Sequence, residues 1–99
     1  MLTITDKAGL FLLKMLEHID APRHVAIRLV SNKSSQVKLA LDRPGNKDKR
    51  FYHADRIVLI VDPQIAVAMK NRRIDARPSD EGDQLIVRMA ELEPTQNTV

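Results

Sequence analysis

The segment RIVLIVDP, residues 56 to 63, constrains this chain more than any other. Ile57 to Val61 is an unbroken run of branched apolar residues, short and without polar alternation, which predicts a strand covered on both faces. Asp62 then offers an N-cap oxygen, and Pro63 suits the first helical position, where no amide hydrogen is needed. The segment therefore predicts a central strand that delivers the chain straight into a short second helix, DPQIAVAMKNRR, whose basic end suits the negative end of the helix dipole.

The remaining elements are read around that strand. TDKAGLFLLKMLEHI predicts a first helix capped by Thr5 or Asp6, with Ala8, Leu12, Met15, Leu16 and Ile19 on one stripe. Leu10, Phe11 and Leu13 widen the stripe, so this helix is expected to be covered on more than one side. Asp20, Ala21 and Pro22 end it. The period then changes to two. Val25, Ile27 and Leu29, and after the polar SNKSSQ segment Val37, Leu39 and Leu41, predict a hairpin of two half-buried strands. RPGNKDKR reads as a solvated loop, FYH and IDA as brief strands, PSDEGD as a turn, and DQLIVRMA as a last strand with Leu85, Val87 and Met89 on one face. Lys38, Arg28 and Arg88 are placed on exposed strand faces, where they would discourage edge-to-edge association.

Two helices against consecutive, mostly hairpin-joined strands make an α+β domain with a small, mostly antiparallel or mixed β-sheet. With 99 residues the chain has material for one core. Residues 1–92 are taken as that single domain and 93–99 as a loose C-terminal tail. There is no cysteine, which excludes disulfides, thiolate nucleophiles and thiolate-held zinc or iron–sulphur clusters for the isolated chain. The absence of a signal-peptide pattern and of a long apolar run leads to the expectation of a cytoplasmic protein with no membrane segment.

Charge is unevenly placed. Residues 1–77 hold 15 Lys and Arg against 8 Asp and Glu, and residues 78–99 hold one against five. RPGNKDKR and KNRRIDAR supply a candidate basic surface of Arg43, Lys47, Lys49, Arg50, Lys70, Arg72 and Arg73. Phosphate contact would suit such a surface, but Phe11, Phe51 and Tyr52 are too few for a base-stacking platform, so nucleic acid is not the expected partner.

Catalytic patterns are missing. His18, His24 and His53 form no HxH or HxxxH pair, the serines have no GxSxG elbow, the glycines form no phosphate cradle, and Asp80, Glu81 and Asp83 lack calcium-loop spacing. No catalytic, cofactor-binding or metal-ligating residue is assigned, and no cofactor is expected.

The ordered series Ile4-Thr5, Ile27-Arg28-Leu29, a tight polar loop, IVLIVD closed by Asp62, and Ile74-Asp75 resembles the A-type iron–sulphur carrier family, the IscA/HesB-like domains, over about residues 2 to 90. The resemblance implies a HesB-like fold. It also implies three cysteine ligands, one in a loop after the LRL-like strand and two near the C-terminus. Laid over this chain, SGCSG corresponds to SNKSS, which puts Lys33 at the cysteine position and Ser35 at the following glycine. The C-terminal pair has no counterpart in VRMAELEPTQNTV. A lysine is a hard, cationic group at neutral pH and does not replace a soft thiolate.

The expected function is therefore that of a non-catalytic, cysteine-less HesB-like protein: an interaction or adaptor module with a protein partner, linked through the resemblance to iron–sulphur cluster biogenesis but unable to ligate a cluster. The resemblance also admits a homo-oligomer. The alternative is a small-ligand or anion-binding module on the loop Asn32, Lys33, Ser34 and Ser35, and a nucleic-acid-associated basic protein is the third reading.

Overall fold

The structure, a computed structural model, describes residues 2–31, 38–80 and 82–89. Its elements run β1 (Thr3–Ile4), α1 (Asp6–His18), β2 (Ala26–Ser31), β3 (Lys38–Asp42), β4 (Lys49–His53), β5 (Arg56–Val61), α2 (Pro63–Ala68), β6 (Arg72–Ser79) and β7 (Gly82–Met89). The strands form two sheets, one ordered β3-β2-β5-β4 and the other β1-β6-β7.

The branched run behaves as its composition predicts. β5 lies between β2 and β4, parallel to the first and antiparallel to the second, and Val58, Leu59, Ile60 and Val61 are all fully buried. Ile27 and Leu29 stand beside Leu59 and Val61, and this face of the sheet meets Leu12 and Leu16 of α1 in the main core. On the second sheet, Ile74 and Ala76 turn toward the same core, with Val87 and Leu85 opposite them. α1 thus packs against both sheets. Each fully buried leucine or isoleucine there contributes about 1.5–3 kcal/mol relative to an exposed one.

Helix α1 starts where Thr5 caps it. The Thr5 hydroxyl accepts from the Ala8 amide at 3.1 Å. Its end is a Schellman turn, in which the Ala21 amide donates to Leu16 O and the Asp20 amide to Glu17 O, with Asp20 at φ 57° in the left-handed position that usually takes glycine. Ala8, Leu12 and Leu16 hold the buried stripe, and Met15 is half-buried. Ile19, predicted on that stripe, is 47% exposed because it lies at the cap beyond the last turn.

The β4–β5 connection is a two-residue turn. His53 pairs with Arg56, and Ala54 and Asp55 both have positive φ, 52° and 65°, as a type I′ turn requires. The β3–β4 connection, residues 43–48, links the two edges of the four-stranded sheet across its outer face, because β2 and β5 lie between its ends.

Several boundaries differ from the sequence reading. RPGNKDKR is not wholly a loop: Lys49 and Arg50 already belong to β4, paired with Val61 and Ile60. The second helix stops at Ala68, so Lys70 falls outside it and Arg72 and Arg73 open β6. Asn71, at φ 65°, turns the chain from the helix end into β6. IDA is the middle of an eight-residue strand, and Pro78, Ser79, Gly82 and Asp83, read as turn, pair as hairpin ends. Partnership with β7 extends the ladder further than the local polarity suggests. Leu41 is 53% exposed rather than buried, since β3 is an edge strand with only Leu39 half-covered. β1 has no counterpart in the sequence reading. It exists because Thr3 and Ile4 pair in parallel with Arg73 and Ile74. Val37 and residues 93–99 lie outside the described residues.

Candidate functional site

Arg28 is the polar centre of the outer sheet face. It stands in mid-strand on β2, opposite Ala40 of β3 and beside Ile60 of β5, so its side chain leaves the sheet away from the α1 core. Its Nε donates to Asp42 at 2.7 Å, diagonal to it on β3. Its two Nη atoms donate to Asp48 at 3.0 and 2.6 Å, a forked pair of charge-assisted bonds. The Asp48 side chain is only 7% exposed, and its carboxylate also accepts from the Gly45 amide at 2.6 Å. Arg50, on β4, donates to Gly45 O at 2.8 Å. The segment 43–48 is thereby tied to Arg28 of β2 and Arg50 of β4.

The electrostatics follow from these contacts. The Asp48 carboxyl is held below its ordinary range, chiefly by the Arg28 hydrogen bond. Asp42 is also lowered, first by the Arg43 amide and then by Arg28. Arg28 is raised above its ordinary value, first by its hydrogen bond to Asp48, and is locked in the charged form. Arg28 had been expected on an exposed face. The expectation fails because the aspartates of β3 and of the crossing segment close over it. Alternation shows that Arg28 points away from the core, but only the path of residues 43–48 shows what covers it.

A second polar tie joins β6, the middle strand of the three-stranded sheet, to the start of α1. Thr5 donates its hydroxyl to Asp75 at 2.7 Å, and the Thr5 amide donates to Ile74 O at 2.9 Å. Asp75 also accepts from the Ala76 amide and, at 3.3 Å, from Arg88. Its carboxyl is lowered, mainly by the Thr5 hydroxyl. A third tie is Arg56, 8% exposed, whose Nη2 donates to the carbonyls of Ala21, Pro22 and Val25 at 3.1, 2.8 and 3.4 Å. A cation among carbonyls just past the C-terminus of α1 meets the negative end of the helix dipole.

These groups do structural work, and they occupy residues that sequence reasoning singled out only in part. Among the candidate basic residues, Arg43, Lys47, Lys49 and Arg50 lie around the crossing segment and β4, whereas Lys70, Arg72 and Arg73 lie after α2 and on the other sheet. Lys49 is half-buried with its ammonium 5.8 Å from the centre of the Phe51 ring. Arg73 stands opposite Arg88. The candidate loop residues Asn32, Lys33, Ser34 and Ser35 lie outside the described residues, between Ser31 of β2 and Lys38 of β3, which pair as the ends of the hairpin.

The donor chemistry does not fit an iron–sulphur cluster. The chain has no cysteine, and among the described residues no group of three His, Asp or Glu side chains is placed to hold a metal ion. Asp42, Asp48 and Asp75 are committed to arginine, hydroxyl and amide donors. No helix among the described residues is long and apolar enough to cross a membrane.

A groove of about 690 Å³ runs between the outer face of α1 and the β6–β7 hairpin. Lys7, Leu10, Phe11, Lys14, Met15 and His18 line its helix side, and Ala76, Arg77, Pro78 and Asp83 its hairpin side.

No family profile matches this chain, and no curated protein sequence does. Solved structures do match its fold. Escherichia coli SufA, involved in biosynthesis of iron–sulphur clusters, superposes with a TM-score of 0.65 at 20% identity, over 89% of this chain and 84% of SufA. IscA with the 2Fe–2S cluster gives 0.59 at 14% identity, over 90% and 85%. A protein from Aquifex aeolicus gives 0.57 at 20% identity, over 86% and 87%. The chain has the α+β fold of the A-type iron–sulphur carriers SufA and IscA, and it has it without a single cysteine.

Proposed function

We propose that this chain is a degenerate A-type carrier domain that works in the cytoplasm by docking a protein partner, as a non-catalytic adaptor near iron–sulphur cluster assembly, and does not carry a cluster. One observation supports this reading above the rest: a carrier-like fold is kept across nearly the whole chain while every thiolate ligand is gone. Function resides in the site rather than the fold. What such a domain retains is its surface.

The test has two arms. Anaerobic incubation with ferrous iron and sulphide, followed by desalting, is expected to leave neither bound iron nor visible absorption, and a stoichiometric cluster would overturn the proposal. Affinity capture with the full chain as bait, followed by gel filtration of each purified candidate with it, is expected to yield an equimolar complex. If no captured candidate co-elutes, the adaptor reading fails.

A further inference from the structure

The first helix carries an apolar strip beside its buried stripe that the fold covers only in part, with Phe11 and Met15 resting against the core and Leu10 open. Leu10 is 42% exposed, and Phe11 and Met15 are half-buried beside it. Lys7 and Lys14 flank this face, both exposed, and Arg77, also exposed, faces it from β6. Among the described residues Asp83 is the one acid lining the groove, on its hairpin side. The salt bridges of the described residues involve Arg28 and Arg88, not these three cations.

We propose that this groove docks an acidic amphipathic helix of a partner protein, whose carboxylates meet Lys7, Lys14 and Arg77 and whose apolar side chains cover Leu10, Phe11 and Met15. The spacing favours a helix over a strand. Lys7 and Lys14 are seven residues apart on α1, two turns or about 10.5 Å. A helix laid alongside repeats its own carboxylates at that interval from i to i+7, with i+3 and i+4 between them on the same face. An extended chain advances about 3.3 Å per residue and changes face at each step, so its same-side residues fall near 6.6 or 13 Å and match the interval less closely. Charge disfavours a two-fold pairing of two copies through this face, because it would bring both copies' Lys7, Lys14 and Arg77 into one interface.

This inference rests on the docking reading above, and the two fail separately: a reconstituted cluster removes the adaptor, whereas the following measurements concern the groove alone. The probe is a labelled peptide with glutamates at i and i+7 and leucines at i+3 and i+4, and its control carries lysines in place of the glutamates. Fluorescence anisotropy with the full chain is expected to show binding of the glutamate peptide that weakens with salt, and little binding of the control. The double variant Lys7→Glu, Lys14→Glu should lose about tenfold or more in affinity for the glutamate peptide and gain the lysine peptide. Leu10→Asp should abolish binding of the glutamate peptide. All three side chains are exposed, and an unchanged circular dichroism spectrum confirms that the fold persists. Absent binding of the glutamate peptide, equal binding of the two peptides, or an unchanged affinity in the double variant overturns the proposal. A dimer on gel filtration that Leu10→Asp dissociates would also overturn it, in favour of self-association.

Discussion

Replacing Asp48 by alanine tests the physical account of the outer sheet face. The carboxylate, 7% exposed, accepts two bonds from Arg28 and one from the Gly45 amide. Truncating one member of a buried ion pair costs about 3–5 kcal/mol when the other is left uncompensated. Here Arg28 keeps Asp42 at 2.7 Å, and the exposed Gly45 amide can turn to water, so about 2–3 kcal/mol is expected. For a domain of this size that lowers Tm by roughly 10–20 °C. Urea unfolding followed by circular dichroism should show a lower midpoint at unchanged slope. Asp42→Ala removes a half-exposed partner and should cost clearly less. If Asp48→Ala falls within about 0.5 kcal/mol of wild type, or Asp42→Ala costs as much, then Arg28 is not held through Asp48 and the crossing segment is anchored otherwise.

The same pair predicts a pH dependence. Asp48, Asp42 and Asp75 all have folded-state values below the ordinary one. In the unfolded chain they titrate near about 3.9. As pH falls below that value the unfolded chain takes up protons that the folded chain refuses, so acid favours unfolding. Their contribution is complete above pH of about 4–5 and is lost as pH falls through the lowered folded values. Asp48→Ala should flatten this acid limb, and an acid limb of undiminished steepness would contradict the role given to Arg28.

Three further outcomes follow from single positions. Arg56→Ala leaves the carbonyls of Ala21, Pro22 and Val25 without their buried donor and should cost about 2–4 kcal/mol, and Arg56→Lys should recover part of it in the same urea assay. Ala54, at φ 52°, sits where a Cβ is strained, so Ala54→Gly should stabilise by up to about 1 kcal/mol, whereas a loss would contradict the type I′ turn. Gly9→Ala would ordinarily gain about 0.5–1 kcal/mol in a helix, but a Cβ there would lie 2.7 Å from the His53 ring and 3.3 Å from its Cβ. A loss of about 1–2 kcal/mol is expected instead, and His53→Ala should restore the gain in a double-mutant cycle.

What was legible in the sequence follows from the range of each interaction. β5 and the start of α2 could be read because RIVLIVDP holds its own evidence: branched residues for the strand and Asp-Pro for the cap. The Thr5 cap is local too. By contrast β1 is two residues long and exists only through a partner some seventy positions away, and the length of β6 is set by β7. The β4–β5 turn carries Ala-Asp where Asn-Gly would have announced it. The candidate loop Asn32–Ser35 was singled out by resemblance, whereas the groove on α1 was foreshadowed by Leu10 and Phe11 but needed the position of Arg77.

The residues that carried the family resemblance are those that interlock. Ile4-Thr5 pairs with Ile74-Asp75 through the parallel β1–β6 contact and the Thr5–Asp75 bond. Ile27-Arg28-Leu29 lies along Leu59-Ile60-Val61. Together they place α1 between two sheets and close the outer face with Arg28. None of these interactions involves the loop at 32–35 or the C-terminal segment where the related family places its cysteines. The core of Leu12, Leu16, Ile27, Leu29, Val58, Leu59 and Val61 is built from the opposite considerations, apolar area and strand register, and asks for no metal to fold.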